Sequence, residues 1–140
     1  PGKVFATPGW RVIKDRGSLL IGPVQEAVKP LLKMKEDPYA PDFMIPRNKA
    51  TACFDADKLQ HPLSLRLCRQ GDSFVPFGMK GRKKVSDYLT DRKFSLLRKE
   101  RQWVLCCGDD IIWLVGERVD NRFRIDEKTR KVLVVSTIDQ

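Results

Sequence analysis

Apolar and polar residues alternate, break and regroup along this chain, and each change of spacing predicts an element. Trp10 to Lys14 and Leu19 to Ile21 are β-like runs around Asp15-Arg16-Gly17. They predict a hairpin with Gly17 at positive φ. Gly22-Pro23 breaks the second strand. Residues 23–49 read as irregular, because Pro23, Pro30, Pro38, Pro41 and Pro46 interrupt them. A short helix over Val24–Met34 fits only as far as Pro30 allows. Residues 35–49 read as a long loop, either an ordered excursion or a mobile flap. Ala50 to Phe54 predicts a strand ending at Asp55-Ala56-Asp57. "PLSLRLCRQGD" then alternates: Leu63, Leu65 and Leu67 face one way, Ser64, Arg66 and Cys68 the other. Gly71-Asp72 makes the turn that follows.

The period then changes. Val85, Tyr88, Leu89 and Arg92 fall at i, i+3, i+4 and i+7, and the first three form a narrow apolar stripe on a helix. Ser95 is placed to cap a second short helix carrying Leu96, Leu97 and Arg101. That puts Arg98 and Lys99 near an N-terminal turn, where the macrodipole disfavours cations by several tenths of a kcal/mol. Four strand signals close the chain. "WVLCC" and "IIWLV" flank a tight hairpin at Gly108-Asp109-Asp110. "VDNRFRI" alternates, with Arg122 and Arg124 on one strand face. "KVLVVSTI" follows the polar turn Asp126–Arg130. Without βαβ alternation, the expected fold is mainly β with short helices (α+β). It is an antiparallel β-sandwich or partial barrel, with a basic helical pair inserted between strands. The organisation expected is an upstream β segment, 1–62, containing the Pro-rich loop, and a terminal domain, 63–140.

Composition changes this picture in one place. The 140 residues are 41% apolar and 32% charged, enough for a core. No apolar run reaches the roughly 20 residues of a membrane span, and no secretory signal is visible. The opening Pro-Gly-Lys suggests a piece of a longer protein. The formal charge is +9, and it is concentrated. Between Lys80 and Arg101 nine cations (Lys80, Arg82, Lys83, Lys84, Arg92, Lys93, Arg98, Lys99, Arg101) meet three acids (Asp87, Asp91, Glu100). This window is either a solvated cationic face or a surface for a polyanion such as nucleic acid. Lys and Arg on short helices can contact successive phosphates without reading bases. Arg122 and Arg124 would extend the patch. Trp10, Trp103 and Trp113 are candidates to stack on bases, though Trp103 and Trp113 sit inside apolar strands and read as core.

Catalytic chemistry finds little support. Cys53, Cys68, Cys106, Cys107 and the sole histidine, His61, lack metal-ligand spacing. The cysteines read as buried free thiols of a cytosolic protein, with Cys106 and Cys107 on opposite strand faces. His61 beside Pro62 reads as a turn residue. Asp55 with Asp57, and Asp109 with Asp110, read as turn acids rather than acid–base pairs. No phosphate-cradling Gly-rich loop is present.

The order of these elements resembles the C-terminal region of the tRNA(Ile)-lysidine synthase family. The resemblance is carried by "LSLRLCRQGDSFVPFGMKGRKKVSDYLTDRK", "IIWLVGERVDNRFRI" and "TRKVLVV". The matching positions are Arg66 with Gly71-Asp72 and Phe74; Pro76, Gly78 and Met79; Lys83-Lys84 with Ser86-Asp87; Trp113 and Gly116 before Arg118; and Arg122-Phe123. The match covers about residues 63–140. "GWRVIKDRGSLLI" and "FDADKL…PL" are similar to the segment preceding it in longer members, and 23–49 match nothing. The resemblance implies a sandwich shared with a domain of the phenylalanyl-tRNA synthetase β subunit. It implies an enzyme that uses ATP (with Mg) to ligate lysine to the wobble cytidine of tRNA(Ile) with a CAU anticodon. Adenylation activates the cytidine, and the lysine amine displaces AMP. Its S-G-G-x-D-S loop lies in an N-terminal catalytic domain, so no cofactor is expected in this fragment and no catalysis from it alone. Family tRNA contacts carry over onto Lys83, Lys84, Arg92, Lys93 and Arg122; Arg98, Lys99 and Arg101 extend them by charge. The expected partners are tRNA(Ile), the N-terminal catalytic domain and, in one reading, a second copy in a homodimer. A cytoplasmic location, with no membrane, is expected. The rival reading is a structural or dimerisation module that orients the catalytic domain without touching tRNA.

Overall fold

The computed structural model describes residues 29–138 in full, and upstream of these only the backbone of three strands. Those are β1 (Val4–Thr7), β2 (Trp10–Asp15) and β3 (Ser18–Pro23), paired antiparallel in that order. The expected hairpin is present, with Asp15 opposite Ser18. Its turn at Arg16-Gly17, the side chain of Trp10, and residues 24–28 lie outside the described residues.

The rest is built on three antiparallel sheets and a helical pair. A four-stranded sheet runs β11-β10-β9-β6, from Arg118–Val119, Asp110–Leu114, Trp103–Cys107 and Leu63–Leu67. A three-stranded sheet runs β4-β12-β5, from Leu31–Pro38, Lys131–Ile138 and Thr51–Asp55. A small ribbon pairs β7 (Ser73–Phe74) with β8 (Lys83–Lys84). The helices α1 (Val85–Asp91) and α2 (Leu96–Glu100) follow it.

The four-stranded sheet has apolar residues on both faces, so it is covered on both. Val104 and Cys106 of β9 meet Val85, Tyr88, Leu89 and Phe94 from the helical segment. Leu105 and Cys107, the alternate residues, meet Ala52, Phe54 and Val135 from the three-stranded sheet. Adjacent cysteines therefore enter different cores, as strand geometry requires. β10 adds a bulge. Ile111 lies opposite Cys106 and Trp113 opposite Leu105, leaving Ile112 as the extra residue. One inserted residue shifts the alternation. Ile111 and Leu114 consequently face the helices, while Ile112 and Trp113 both enter the inter-sheet core. Phe74 and Tyr88 pack edge to face at 5.5 Å, tying the ribbon to α1.

Two sequence expectations are corrected. Residues 31–38, read as helix and loop, form an eight-residue strand paired along its whole length with β12, from Leu31 opposite Ile138 to Pro38 opposite Lys131. β4 is an edge strand that is mostly exposed, so main-chain pairing holds it and burial leaves no apolar period. Its Lys33 and Lys35 are typical of protected sheet edges. "VDNRFRI" is not one strand. Only Arg118–Val119 form a strand, Asp120 makes an isolated bridge with Pro76, and Asn121–Phe123 form a 3-10 turn capped by Asp120. The Asp120 carboxylate accepts from Arg122 N–H at 2.8 Å and Val75 N–H at 2.9 Å. A side chain that takes backbone donors this way competes with the ladder.

Candidate nucleic-acid interface

β8 delivers Lys83 and Lys84 to the start of α1, where Lys84 is the N-cap residue without a side-chain cap bond. Val85, Tyr88 and Leu89 are buried, so Ser86, Asp87, Thr90 and Asp91 are left outward. Arg92 ends the helix. Lys93 reverses the chain at φ 67°, a left-handed conformation costly for a residue with a Cβ. That reversal seats Phe94 in the core, its N–H donating to the Leu89 carbonyl at 3.0 Å. Ser95 Oγ then accepts the Arg98 N–H at 3.1 Å and starts α2, as the sequence predicts. α2 is only five residues long, and Leu96 and Leu97 are half-buried. Arg98 and Lys99 fall in its last turn, the end that favours cations. In so short a helix the first and last turns overlap, so Arg98 and Lys99 lie near both ends and the expected dipole penalty is offset.

The cations divide by partner. Lys83 is ion-paired with Asp91, whose carboxyl its hydrogen bond holds below the usual range. Arg92 Nε donates to Glu117 Oε1 at 3.0 Å, which raises the guanidinium pKa. Arg122 grips Asp120 with two bonds, Nε–Oδ1 at 3.0 Å and Nη2–Oδ2 at 2.9 Å. Its Nη1 reaches Asp110 at 3.4 Å. Arg82 donates to Ser73 Oγ at 3.0 Å, Arg124 to the Asn121 carbonyl at 2.9 Å, and Lys99 to Thr90 Oγ1. Arg98 lies over the Phe94 ring at 3.8 Å. Lys80, Lys84, Lys93, Arg98 and Arg101 form no ion pair among the described residues, although Lys93 is near enough to Asp91 to help lower its pKa, and Arg98 has its ring contact.

Residues 63–136 match the family model of the TilS substrate C-terminal domain. The chain belongs to this family. It is 58% identical, over 99% of its own length and 33% of the other's, to the tRNA(Ile)-lysidine synthase of Bacteroides thetaiotaomicron. It is 48% identical to that of Parabacteroides distasonis, over 97% of itself and 34% of the relative. The chain thus spans about a third of these relatives. A solved structure entitled "Crystal structure of TILS C-terminal domain" superposes with a TM-score of 0.63 at 19% identity, covering 78% of this chain and 85% of that one. The fold is shared.

Within this TilS C-terminal domain, the shared strand face expected for Arg122 and Arg124 is corrected. The 3-10 turn separates them, and the Arg122 charge is directed at Asp120 and Asp110. Trp113 is 1% exposed, as its strand setting predicts. Trp103 is half-buried. His61 is exposed and lies against Gly108, where an added Cβ would meet the His61 Cβ at 3.0 Å. Asp55 is a buried cap that accepts from Asp57 N–H and Thr129 Oγ1. Burial pushes the Cys53, Cys68 and Cys106 thiols up. Among the described residues no three metal-ligating side chains gather, and no helix is long and apolar enough to cross a membrane.

Two features were not singled out for the site from the sequence. Arg66 and Asp72 form a bidentate pair at 2.8 and 3.0 Å, and Asp72 also accepts the Arg69 N–H at 2.6 Å. Partial burial works against the Asp72 carboxylate, but the Arg66 bond and the Arg69 N–H outweigh it and lower its pKa. This pair shapes the turn before β7. The second is the loop 75–82, clipped to β11 and the 3-10 turn. Phe77 N–H donates to the Val119 carbonyl at 3.0 Å, Gly78 N–H to Asn121 Oδ1 at 3.1 Å, and Arg118 Nη2 to the Phe77 carbonyl at 2.8 Å. So anchored, it leaves Phe77 46% and Met79 44% exposed beside Lys80 and Arg82.

Proposed function

We propose that this chain is the tRNA-contacting C-terminal part of a tRNA(Ile)-lysidine synthase. In the whole enzyme, acting in the cytoplasm, lysine is joined to the wobble cytidine of CAU-anticodon tRNA(Ile) at the expense of ATP. One observation carries the reading. Lys80, Lys84, Lys93, Arg98 and Arg101 form no ion pair among the described residues, and they sit on the loop, helix ends and turn around α1, whose other side is packed into a core. Cations fixed on a rigid support lose little entropy on meeting phosphate, and their field reaches about 8 Å into physiological salt. Lys83, Arg92 and Arg122, already paired, contribute less.

The chain's role is then to bind and orient RNA. It has no Gly-rich phosphate loop, and its described residues assemble no metal-ligand cluster. In this reading the adenylation chemistry belongs to the N-terminal catalytic domain. The test is binding of tRNA to the chain across a salt series. Log affinity should fall by about 0.7–0.9 per log unit of salt for each phosphate neutralised. Reversing Lys84, Lys93 and Arg101 together to Glu should weaken binding and flatten that slope. Unchanged affinity in the triple variant would remove the assignment.

A second reading, a dimerising or orienting module, draws on a different surface. Leu31 and Met34 on edge strand β4 are 54% and 44% exposed, and with Leu63 and Leu65 of edge strand β6 they line an apolar groove of about 450 Å³. Light scattering separates the readings: a stable dimer that binds no tRNA favours this one.

A further inference from the structure

A second basic surface adjoins the end of α1. The loop after β4 and the chain from α1 to β11 enclose a groove of about 410 Å³. That volume is within the usual range for a small-molecule site. Its lining includes Arg47 and Lys49 from the loop, Arg92 and Arg118 from the later segment, and Phe77. The one acid among the lining residues, Glu117, is already paired with Arg92 at 3.0 Å. Arg47, Lys49 and Arg118 are exposed and have no counter-ion among the described residues. Both segments are held. The Asn48 side chain accepts the Ala50 N–H at 3.0 Å, and Arg118 donates to the Phe77 carbonyl at 2.8 Å. The groove therefore offers net positive charge beside a half-open aromatic ring.

We infer that this groove receives an unpaired nucleotide of the bound RNA, the base against Phe77 and the flanking phosphates between Arg47, Lys49 and Arg118. A duplex phosphate ridge needs cations but no exposed ring. A splayed-out nucleotide uses both, since stacking on an aromatic side chain and a cationic groove are the common means of holding single strands. The inference rests on the RNA-binding reading above and adds a strand state to it. It also gives a role to Phe77, an exposed large apolar residue on a loop that three hydrogen bonds hold in place.

The experiment measures affinity of the full chain for two labelled RNAs, a blunt hairpin and the same hairpin with a short single-stranded extension. Wild type should prefer the extended RNA by about tenfold, the scale of one base–aromatic contact. Arg47→Glu with Lys49→Glu, both exposed loop positions, should abolish the preference and change blunt-hairpin affinity less than about twofold. Phe77→Ala should also lose the preference and Phe77→Trp should keep it. Lys84→Glu with Lys93→Glu should weaken both RNAs alike. If wild type binds both RNAs equally, or if the Arg47/Lys49 variant weakens both equally, the groove is no nucleotide site, while the RNA-binding reading stands. If wild type binds neither, that reading falls and this inference with it.

Discussion

Arg122 holds Asp120 through two parallel hydrogen bonds, and Asp120 is completely buried while Arg122 keeps about a third of its side-chain surface. The carboxylate also takes backbone donors from Val75 and Arg122 itself. It thereby joins the loop after β7 to the 3-10 turn before Ile125. Arg122 closes a buried charge, so its first effect is on stability. Arg122→Gln should destabilise the chain by about 2–3 kcal/mol, the scale of a charged hydrogen-bonded pair losing one partner in a partly buried site. The salt slope of RNA binding should not change. Urea midpoints and binding isotherms on the same sample check both parts, and a flattened slope without loss of stability would return Arg122 to the interface.

Lys93 predicts the opposite pairing of effects. At φ 67° it carries backbone strain that glycine does not feel. Lys93→Gly should stabilise the fold by about 0.5–1 kcal/mol, less whatever the more flexible unfolded chain takes back. The same change removes an exposed cation and should weaken tRNA binding by severalfold. Thermal melts and binding titrations should therefore move in opposite directions. A variant that is more stable and binds equally well would show that Lys93 is there for another reason.

Asp72 and Arg66 set an acid limit. The Asp72 carboxyl lies below its ordinary value of about 3.9 once the Arg66 bond and Arg69 N–H have overcome partial burial. The folded state thus releases the Asp72 proton more readily than the unfolded state does. Its stabilisation is complete above the unfolded value and disappears as pH falls through the folded one. Asp91 and Asp126 are shifted the same way by Lys83 and Lys58, but both are exposed enough for solvent to screen them. Asp72→Asn should lower stability at neutral pH and make its decline below about pH 4 shallower. Unfolding midpoints from pH 7 to pH 3 test this, and parallel curves for variant and wild type would count against it.

The helical pair and the inner strands were legible because burial imposes a period. Val85, Tyr88 and Leu89 repeat at helical spacing, and Leu63–Leu67 alternates. β4 was hidden because an exposed edge strand is held by its backbone, which every sequence carries. The 3-10 turn was hidden because Asn121, Arg122 and Phe123 alternate like a strand, and only the Asp120 side chain redirects the chain. At the site, charge located the cations but not their partners. Arg92 with Glu117 and Lys83 with Asp91 come together only through folding. The groove of Arg47, Lys49 and Arg118 joins segments about 70 residues apart, a relation no local pattern encodes.

Leu89 tests whether the placement of the cations matters apart from their number. It is fully buried, and with Val85, Tyr88 and Phe94 it seats the helical segment on Val104, Cys106 and Leu114. Leu89→Ala removes no charge. It leaves a cavity costing about 3 kcal/mol and should lower the melting temperature by roughly 10 °C in a chain of this size. Well below the new transition the helical segment still holds Lys84, Lys93 and Arg101 at its ends and turn, so tRNA affinity should stay within about twofold of wild type. As the transition is approached the cations lose their support and affinity should fall several degrees earlier than in wild type. Binding measured across temperature, beside a circular dichroism melt, separates the cases. Affinity that ignores the melt would mean that the cations act as an unstructured charge cloud, and the rigid interface would have to be abandoned.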